Sequence, residues 1–565
     1  MHRLDRLALR APLATIALLT LLLSPLYLRG LGEPLLWQDE GTTAILARHI
    51  ASSGLPTVGY GADSASQDFD GMRGWWDLNV DSPWLQDYLA VSAWWAWAEP
   101  PDSLQGAQQL TRLLRLPFAI IALLLPLATY ALMRVGPAVA DSKRSIRVAL
   151  VAAALTATSP MLVLHARQVR YYAPAALLTV LLLVAYLRLR GAPPPQRCRA
   201  CFAFAAASGL LVTANDVVWI AVTASLVAHW ALFGHRDLSP RRAIAALAFP
   251  VSIAAGWFLL VATADKYGRV EPTGVLDNAL AYAVEMNAHV LPIALLAIGA
   301  FLHRARLAEL VRASASTRRQ SLDFPVLLGL TIAAVVGIHL FIDLVFLRYL
   351  VAIVPLCAAV VAMLLVPPAG QRSIGGAGWI VLLALTLTDV AGWLSDAPLR
   401  YGLSQRSARR HQHWAIPHTL WGLSARLRNV GAGPVSGVLE ALYEEGDASH
   451  SMVATYGDQP LSVLSGVKVY GGFSGQYPPS GVAPEWIWLR ASTSAEMEGK
   501  RGAAAAWIAA NVDLTGYDCR LIDVPDRQWE WRPDPDVFWT LGAEGPFYWT
   551  RGDSVPGVRL CRLPR

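Results

Sequence analysis

The sequence predicts a polytopic α-helical membrane protein that ends in a soluble α/β domain. Three observations carry this expectation. Of 565 residues, 55% are hydrophobic and only 16% are charged, whereas soluble domains carry about a quarter charged residues. Apolar runs long enough to cross a bilayer recur from the N-terminal end to about residue 394. Beyond that point Gly, Pro, Trp and charged residues return, and no further apolar run follows.

A bilayer needs roughly 17–25 apolar residues per helix. Runs of that kind lie at 11–29, 112–134, 147–165, 172–190, 243–262, 324–342, 348–366 and 376–394, with weaker ones at 199–214, 216–233 and 289–303. Together they predict about eleven transmembrane helices. The stretch 84–98 is apolar but short, and Trp94, Trp95 and Trp97 suit a membrane interface better than its core. Treating it as an interfacial helix also satisfies the charge bias. The loops containing Arg134, Lys143, Arg144 and Arg147, then Arg188 to Arg199, then Arg236 to Arg242, then Arg304 to Arg319, and finally Arg372, all fall on the side of the N-terminus. That side is expected to be cytoplasmic. Arg3, Arg6 and Arg10 before the first run resemble a signal peptide, but no small-x-small cleavage site follows, so a retained anchor is expected.

Residues 1–394 then form the membrane domain, and its first outer loop spans about 30–111. That loop is acidic, with Asp39, Glu40, Asp63, Asp68, Asp70, Asp77, Asp81 and Asp87. Residues 41–52 read as an amphipathic helix on the membrane surface, stopped by Gly54 and Pro56. Residues 395–565 form the outer-face α/β domain. Strand-like runs at Ser451–Tyr456, Val467–Tyr470, Trp486–Arg490, Cys519–Val524 and Val558–Leu563 alternate with helix-like runs near 435–446 and 499–511.

The net charge of +6 comes from 47 Lys and Arg against 41 Asp and Glu. The bases, mostly Arg, sit in short loops, which speaks for topology rather than nucleic acid. Five cysteines are too few for a disulfide scaffold. Cys198-x-x-Cys201 has no second pair or nearby His, so zinc is not expected there. Cys519 and Cys561 fall in two strand-like runs of the outer domain and are expected to pair. A phosphate-binding Walker loop, a dinucleotide fingerprint and an HExxH motif are all missing from the sequence.

The candidate site starts from Asp39-Glu40, about ten residues beyond the first span. A carboxylate there can act as a general base toward an incoming hydroxyl. The plainer reading is that Asp39 caps a helix starting at Glu40–Gly41. Arg348-Tyr349 opens a span, where a guanidinium either snorkels or clamps a phosphate. Arg170-Tyr171-Tyr172 reads likewise, with an aromatic-belt anchor as its plain alternative. Asp216 and Asp343 are candidate outer-surface acids, with simple solvation as the alternative.

The order of these motifs resembles a known family. Trp37-x-Asp39-Glu40-x-x-Thr43 follows the first span, and Ser82-Pro83-Trp84-Leu85 opens the interfacial helix. Arg112-x-x-Arg115-Leu116-Pro117, then Ser159-Pro160 through Arg167-Gln168-x-Arg170-Tyr171-Tyr172, and Arg348-Tyr349-Leu350 with Pro355 come after. The pattern over about 10–365 is similar to that of the class-C membrane glycosyltransferases, the group of protein O-mannosyltransferases, lipid A aminoarabinose transferase and lipopolysaccharide core sugar transferases. The resemblance implies a donor sugar on a polyprenyl phosphate, and an acceptor that is a glycan, a lipid or a protein. It implies Asp39 as catalytic base with Glu40 beside it, and Arg348, Tyr349, Arg170 and Tyr171 around the donor phosphate. Many relatives carry an Asp shortly after the Arg of the second outer loop, where Tyr171-Tyr172 stand here. No metal ligand is assigned, and a divalent ion stays open as a cofactor. The expected setting is the inner membrane, multi-pass, with the C-terminal domain periplasmic. A lipid-linked sugar flippase and a non-catalytic glycan-binding protein, with Trp529, Trp531 and Trp539 as its sugar platform, are the alternatives.

Overall fold

The structure is a computed structural model. It describes residues 11–60, 63–64, 77–80, 82–97, 99–136, 142–234, 238–261, 274–286, 290–291, 315–341, 347–366, 434–445, 451–454, 458–471, 477–479, 481–489, 504, 506–522 and 558–564. The expected spans at 289–303 (apart from residues 290–291) and 376–394, the 394/395 boundary, Asp343 and Trp529, Trp531 and Trp539 lie outside those residues.

The helices come in chain order as α1 (Pro12–Leu28), α2 (Gln38–Ser53), α3 (Leu85–Ala96), α4 (Leu104–Leu123), α5 (Leu125–Val135), α6 (Ser142–Ala157), α7 (Pro160–Ala166) and α8 (Tyr172–Gly191). They continue as α9 (Arg197–Ala214), α10 (Asp216–His229), α11 (Pro240–Val261), α12 (Gly274–Glu285), α13 (Ala315–His339) and α14 (Val354–Leu365). Among the described residues seven helical runs are long and apolar enough to cross a membrane, or eight if the bent pair α6–α7 counts as one span. The 17-residue α1 is apolar but shorter than the rest.

Two of these breaks position the site. The run expected at 147–165 turns by 54° between α6 and α7. Ser159 caps the new helix, accepting from Leu162 N, and Pro160 opens it. A proline has no N–H to continue the preceding ladder but suits a first turn. The bend brings Arg167–Tyr171 round to the end of the bundle. The second break precedes α14, where Leu347–Ile353 form a 3₁₀ helix and Pro355 sits in the first turn of α14. The missing N–H of Pro355 prevents an α-helical bond back to Val351, so the preceding turn tightens. Arg348 thereby sits on an irregular turn at the head of the last described span.

Two large cores stand out among the described residues. One lies among the helices, joining α5 to α10 with α13 and α14. The other lies at one end and combines Ala44, Leu46 and Ile50 of α2 and Ala90, Val91 and Trp94 of α3 with Leu110, Leu114 and Phe118 of α4. It also takes in Leu461 and Leu464 and the sheet residues Met452, Trp488 and Leu560. The surface-lying helix expected at 41–52 therefore begins earlier, at Gln38, and is buried between other elements. Its apolar residues meet protein instead of lipid. Helix α3 splits its tryptophans: Trp94 is buried and donates to Ala44 O, whereas Trp95 is 78% exposed.

The C-terminal sheet contains β3 (Ser451–Ala454), β4 (Lys468–Gly471), β5 (Trp486–Leu489), β6 (Asp518–Ile522) and β7 (Val558–Arg562), after the short hairpin β1 (Gly59–Tyr60) and β2 (Asp63–Ser64). Its order is β4-β3-β5-β7-β6. Strand β3 runs parallel to β4 and β5, while β7 runs antiparallel to β5 and β6. Cys519 and Cys561 face each other across β6 and β7 and are joined by a disulfide. Helices α15 (Pro434–Glu444) and α16 (Asp458–Ser465) lie between the sheet and the bundle.

Candidate active site around Asp39

Everything at this site hangs on how the ten residues after α1 are held. Arg167 donates to the carbonyls of Leu26, Tyr27, Arg29 and Gly30, closing the open end of α1. Arg115, only 2% exposed in the middle of α4, donates to the carbonyls of Leu31, Pro34 and Leu35. An arginine in an apolar helix is costly unless every N–H is used. Arg115 meets that condition with a carboxylate as well. Its Nε donates to Glu40 Oε1 at 2.8 Å and its Nη2 to Glu40 Oε2 at 2.5 Å.

Glu40 is fully buried. Besides Arg115, its Oε1 accepts from Val169 N at 2.8 Å and its Oε2 from Trp37 N at 3.2 Å. The sequence placed Glu40 beside Asp39 in the chemistry, and the geometry separates the two. Both Glu40 oxygens are committed to protein donors, so it ties α2, α4 and the 167–171 loop together. It also takes the capping role expected of Asp39. Because α2 starts at Gln38 with Trp37 as its cap residue, Asp39 falls in the first turn. There the helix dipole favours a negative charge.

Asp39 keeps 24% of its side chain exposed and faces two cations. Its Oδ2 lies 3.7 Å from Arg348 Nη2 and 3.9 Å from Arg170 Nη2. A close guanidinium–carboxylate hydrogen bond is about 2.7–2.9 Å, so neither contact closes the carboxylate off. Burial pulls the Arg170 guanidinium down, but the Asp39 carboxylate, together with Tyr172 and Tyr171, raises it above its ordinary value. Arg167 is held down to about 9 by burial and by Arg115, against the pull of Glu40, and remains a cation at neutral pH. Two guanidiniums against one carboxylate leave the cluster with a net positive charge.

The cations are themselves held. Arg348 stacks over the Trp37 ring at 5.3 Å, and Tyr349 stacks on His339. Arg170 lies 5.3 Å over the Tyr171 ring and donates to Thr43 Oγ1. The loop carrying both is fixed by Gln86 of α3, whose Oε1 accepts from Tyr171 N at 3.1 Å and whose Nε2 donates to Ser82 Oγ. Asp39, Arg170, Tyr171, Arg348 and Tyr349 are thus brought to one end of the bundle from three distant parts of the chain. Asp216 is a separate case. It is buried at the start of α10, accepting from Trp257 Nε1 at 2.8 Å, and is not a solvated surface acid. Cys198 and Cys201 carry free thiols. Among the described residues no three His, Cys, Asp or Glu side chains converge as a metal set.

Sequence reasoning missed what Arg115, Arg167, Gln86 and Trp37 do. For Arg115 the signal was present, since a charge within an apolar helix demands a partner. For the others the contacts depend on folding.

Comparison with solved structures follows from this geometry. ArnT from Cupriavidus metallidurans in the apo state superposes with a TM-score of 0.55 over 91% of this chain and 96% of its own, at 15% identity. The chain shares the fold of that structure. The same protein bound to undecaprenyl phosphate gives a TM-score of 0.44 at 16% identity, covering 76% of this chain and 70% of that one. The archaeal oligosaccharyltransferase AglB from Archaeoglobus fulgidus, in complex with an inhibitory peptide and a dolichol-phosphate, gives 0.46 at 12% identity over 94% and 74%. No family model and no curated protein sequence matches the chain. At such identities the likeness is one of fold.

Proposed function

We propose that this chain transfers a sugar from a polyprenyl-phosphate-linked donor to an acceptor hydroxyl, at the non-cytoplasmic face of the inner membrane. The observation that carries the reading is the open cluster at Asp39, a carboxylate with two guanidiniums at 3.7 and 3.9 Å. Its net positive charge suits a donor phosphate, and its carboxylate suits an acceptor proton. Arg348 and Arg170 hold the phosphate as it leaves, because planar guanidiniums can offer two N–H groups to two oxygens. Tyr171 and Tyr349 flank the two guanidiniums. Asp39 takes the proton of the acceptor hydroxyl as that oxygen attacks the anomeric carbon, and the bond to the phosphate oxygen breaks. With Asp39 as base and, among the described residues of the cluster, no second carboxylate beside it except Glu40, which is committed to Arg115, the reaction inverts the anomeric centre. ArnT, whose apo fold this chain shares, has also been seen with undecaprenyl phosphate, the carrier class proposed here. No step is assigned to a metal.

The test is transfer by purified wild-type protein from a panel of undecaprenyl-phosphate sugars, with cell-envelope glycans compared by mass spectrometry with and without the protein. Transfer dependent on the lipid phosphate is expected. Movement of intact lipid-linked sugar across vesicles with no glycosyl transfer would instead make the chain a flippase.

A further inference from the structure

Where the C-terminal residues pack on the helix that carries Asp39, the approach at Gly41 is especially close. Gly41 lies two residues beyond Asp39 on α2. A Cβ placed there would sit 2.6 Å from Pro460 N, 2.8 Å from Gln459 C and 2.9 Å from Gln459 Cβ. The first two of those atoms are backbone, so a methyl group cannot be accommodated by a rotamer change. Helix or helix would have to move.

Helix α16, which supplies Gln459 and Pro460, is wedged at both ends. Its far end turns at Gly466, which has φ +68, against the ring of Pro100, where a Cβ would come within 3.1 Å. Tyr443 Oη donates to Leu464 O. Leu461 and Leu464 lie in the same core as Ala44, Leu46 and Val169. Val169 is the residue whose N–H donates to Glu40, one place before Arg170. The seat of α16 on α2 therefore backs onto both arms of the site, the helix with Asp39 and the loop with Arg170.

We infer that Gly41 is a positioning residue: by letting the first turn of α16 rest directly on α2, it makes the C-terminal domain set where Asp39 stands relative to Arg170 and Arg348. The inference rests on Asp39 being the working carboxylate. Misplacement of a reacting group by about 1 Å can cost on the order of 100-fold in rate, and the overlap at Gly41 is of that size.

The experiment uses the full chain, with Gly41→Ala as the main variant and Gly256→Ala as control, since a Cβ at Gly256 meets open space. Amide hydrogen exchange is read at 38–50 and 458–465, and turnover and KM are read with an undecaprenyl-phosphate sugar. Gly41→Ala is expected to speed exchange in both segments together and to lower kcat on the order of 10–100-fold. KM for the donor should change by less than about threefold, because the lost geometry belongs to the reacting state. Gly466→Ala keeps the result interpretable if Gly41→Ala does not fold. It strains the far end of α16 without touching α2, and exchange at 38–50 should rise there too. Unchanged exchange at 38–50 in both variants, with kcat within twofold of wild type, would overturn the inference. Wild-type protein that transfers no sugar counts against the proposed function alone, because the exchange measurements still decide the coupling.

Discussion

Among the described residues, Asp323 and Asp39 each face two basic side chains, and they differ in how tightly. Asp323 in α13 takes a bidentate pair from Arg190, 3.0 Å at each oxygen, and lies 2.8 Å from His229 Nε2. Tyr186 Oη completes that cluster at 3.0 Å from His229 Nδ1. At the opposite end of α8, Asp39 has its guanidiniums no nearer than 3.7 Å. The same residue types give a closed knot in one place and an open one in the other. The closed knot binds α8, α10 and α13 together. The open one leaves the Asp39 carboxylate without a close ion pair, which suits the leaving phosphate and the attacking hydroxyl proposed above.

Glu40 sharpens this contrast, because it stands next to Asp39 in sequence yet belongs with the closed type. Glu40→Ala should give the largest effect. It leaves Arg115 buried without its counter-charge, a loss of about 3–5 kcal/mol in stability. Thermal unfolding of the detergent-solubilised protein measures it. A fall in turnover with stability intact would move Glu40 back into the chemistry.

Arg348→Lys comes next. Lysine keeps the charge but loses the planar fork and the stack on Trp37. Turnover should fall about 10–100-fold, the equivalent of one charged hydrogen bond of about 1.5–3 kcal/mol, with unfolding temperature unchanged. Wild-type turnover would mean that Arg348 only snorkels.

The smallest effect is expected at the closed knot. Asp323→Asn keeps the shape and weakens the bonds from Arg190 and His229, so stability should drop by about 1 kcal/mol. Turnover per folded molecule should stay at the wild-type value. A large loss of turnover there would erase the distinction between the two clusters.

How much of this was legible beforehand follows the range of each interaction. The seven described spans were visible because lipid imposes its pattern on contiguous residues. The strands of the C-terminal sheet were visible as short β-branched and aromatic runs. Asp39, Arg170 and Arg348 stood out as charges at the ends of apolar runs. The partner of Glu40 did not, because Arg115 is 75 positions away and only the bend at Ser159-Pro160 brings Val169 to complete its shell. The start of α2 was misplaced for a related reason. The cap at Trp37 N is made by Glu40 and not by Asp39, and the sequence alone ranks both carboxylates alike. Helix α2 was expected on the membrane surface because its apolar face has no partner nearby in sequence. Its partners lie in α3 and α4, some 40 or more residues on, and beyond residue 450 in α16 and the sheet.

The central claim is that Asp39 is the proton acceptor of an open, cationic site, and Asp39→Asn tests it most directly. The change keeps size and removes the basic oxygen, while the cap at Trp37 stays with Glu40. Binding of undecaprenyl phosphate and turnover of an undecaprenyl-phosphate sugar are measured on the same preparation, at matched expression. The account predicts that the variant folds and binds the lipid phosphate at least as well as wild type, since a negative charge beside Arg170 and Arg348 is gone. Turnover should fall by about 10²–10⁴. Wild-type turnover in Asp39→Asn would contradict it.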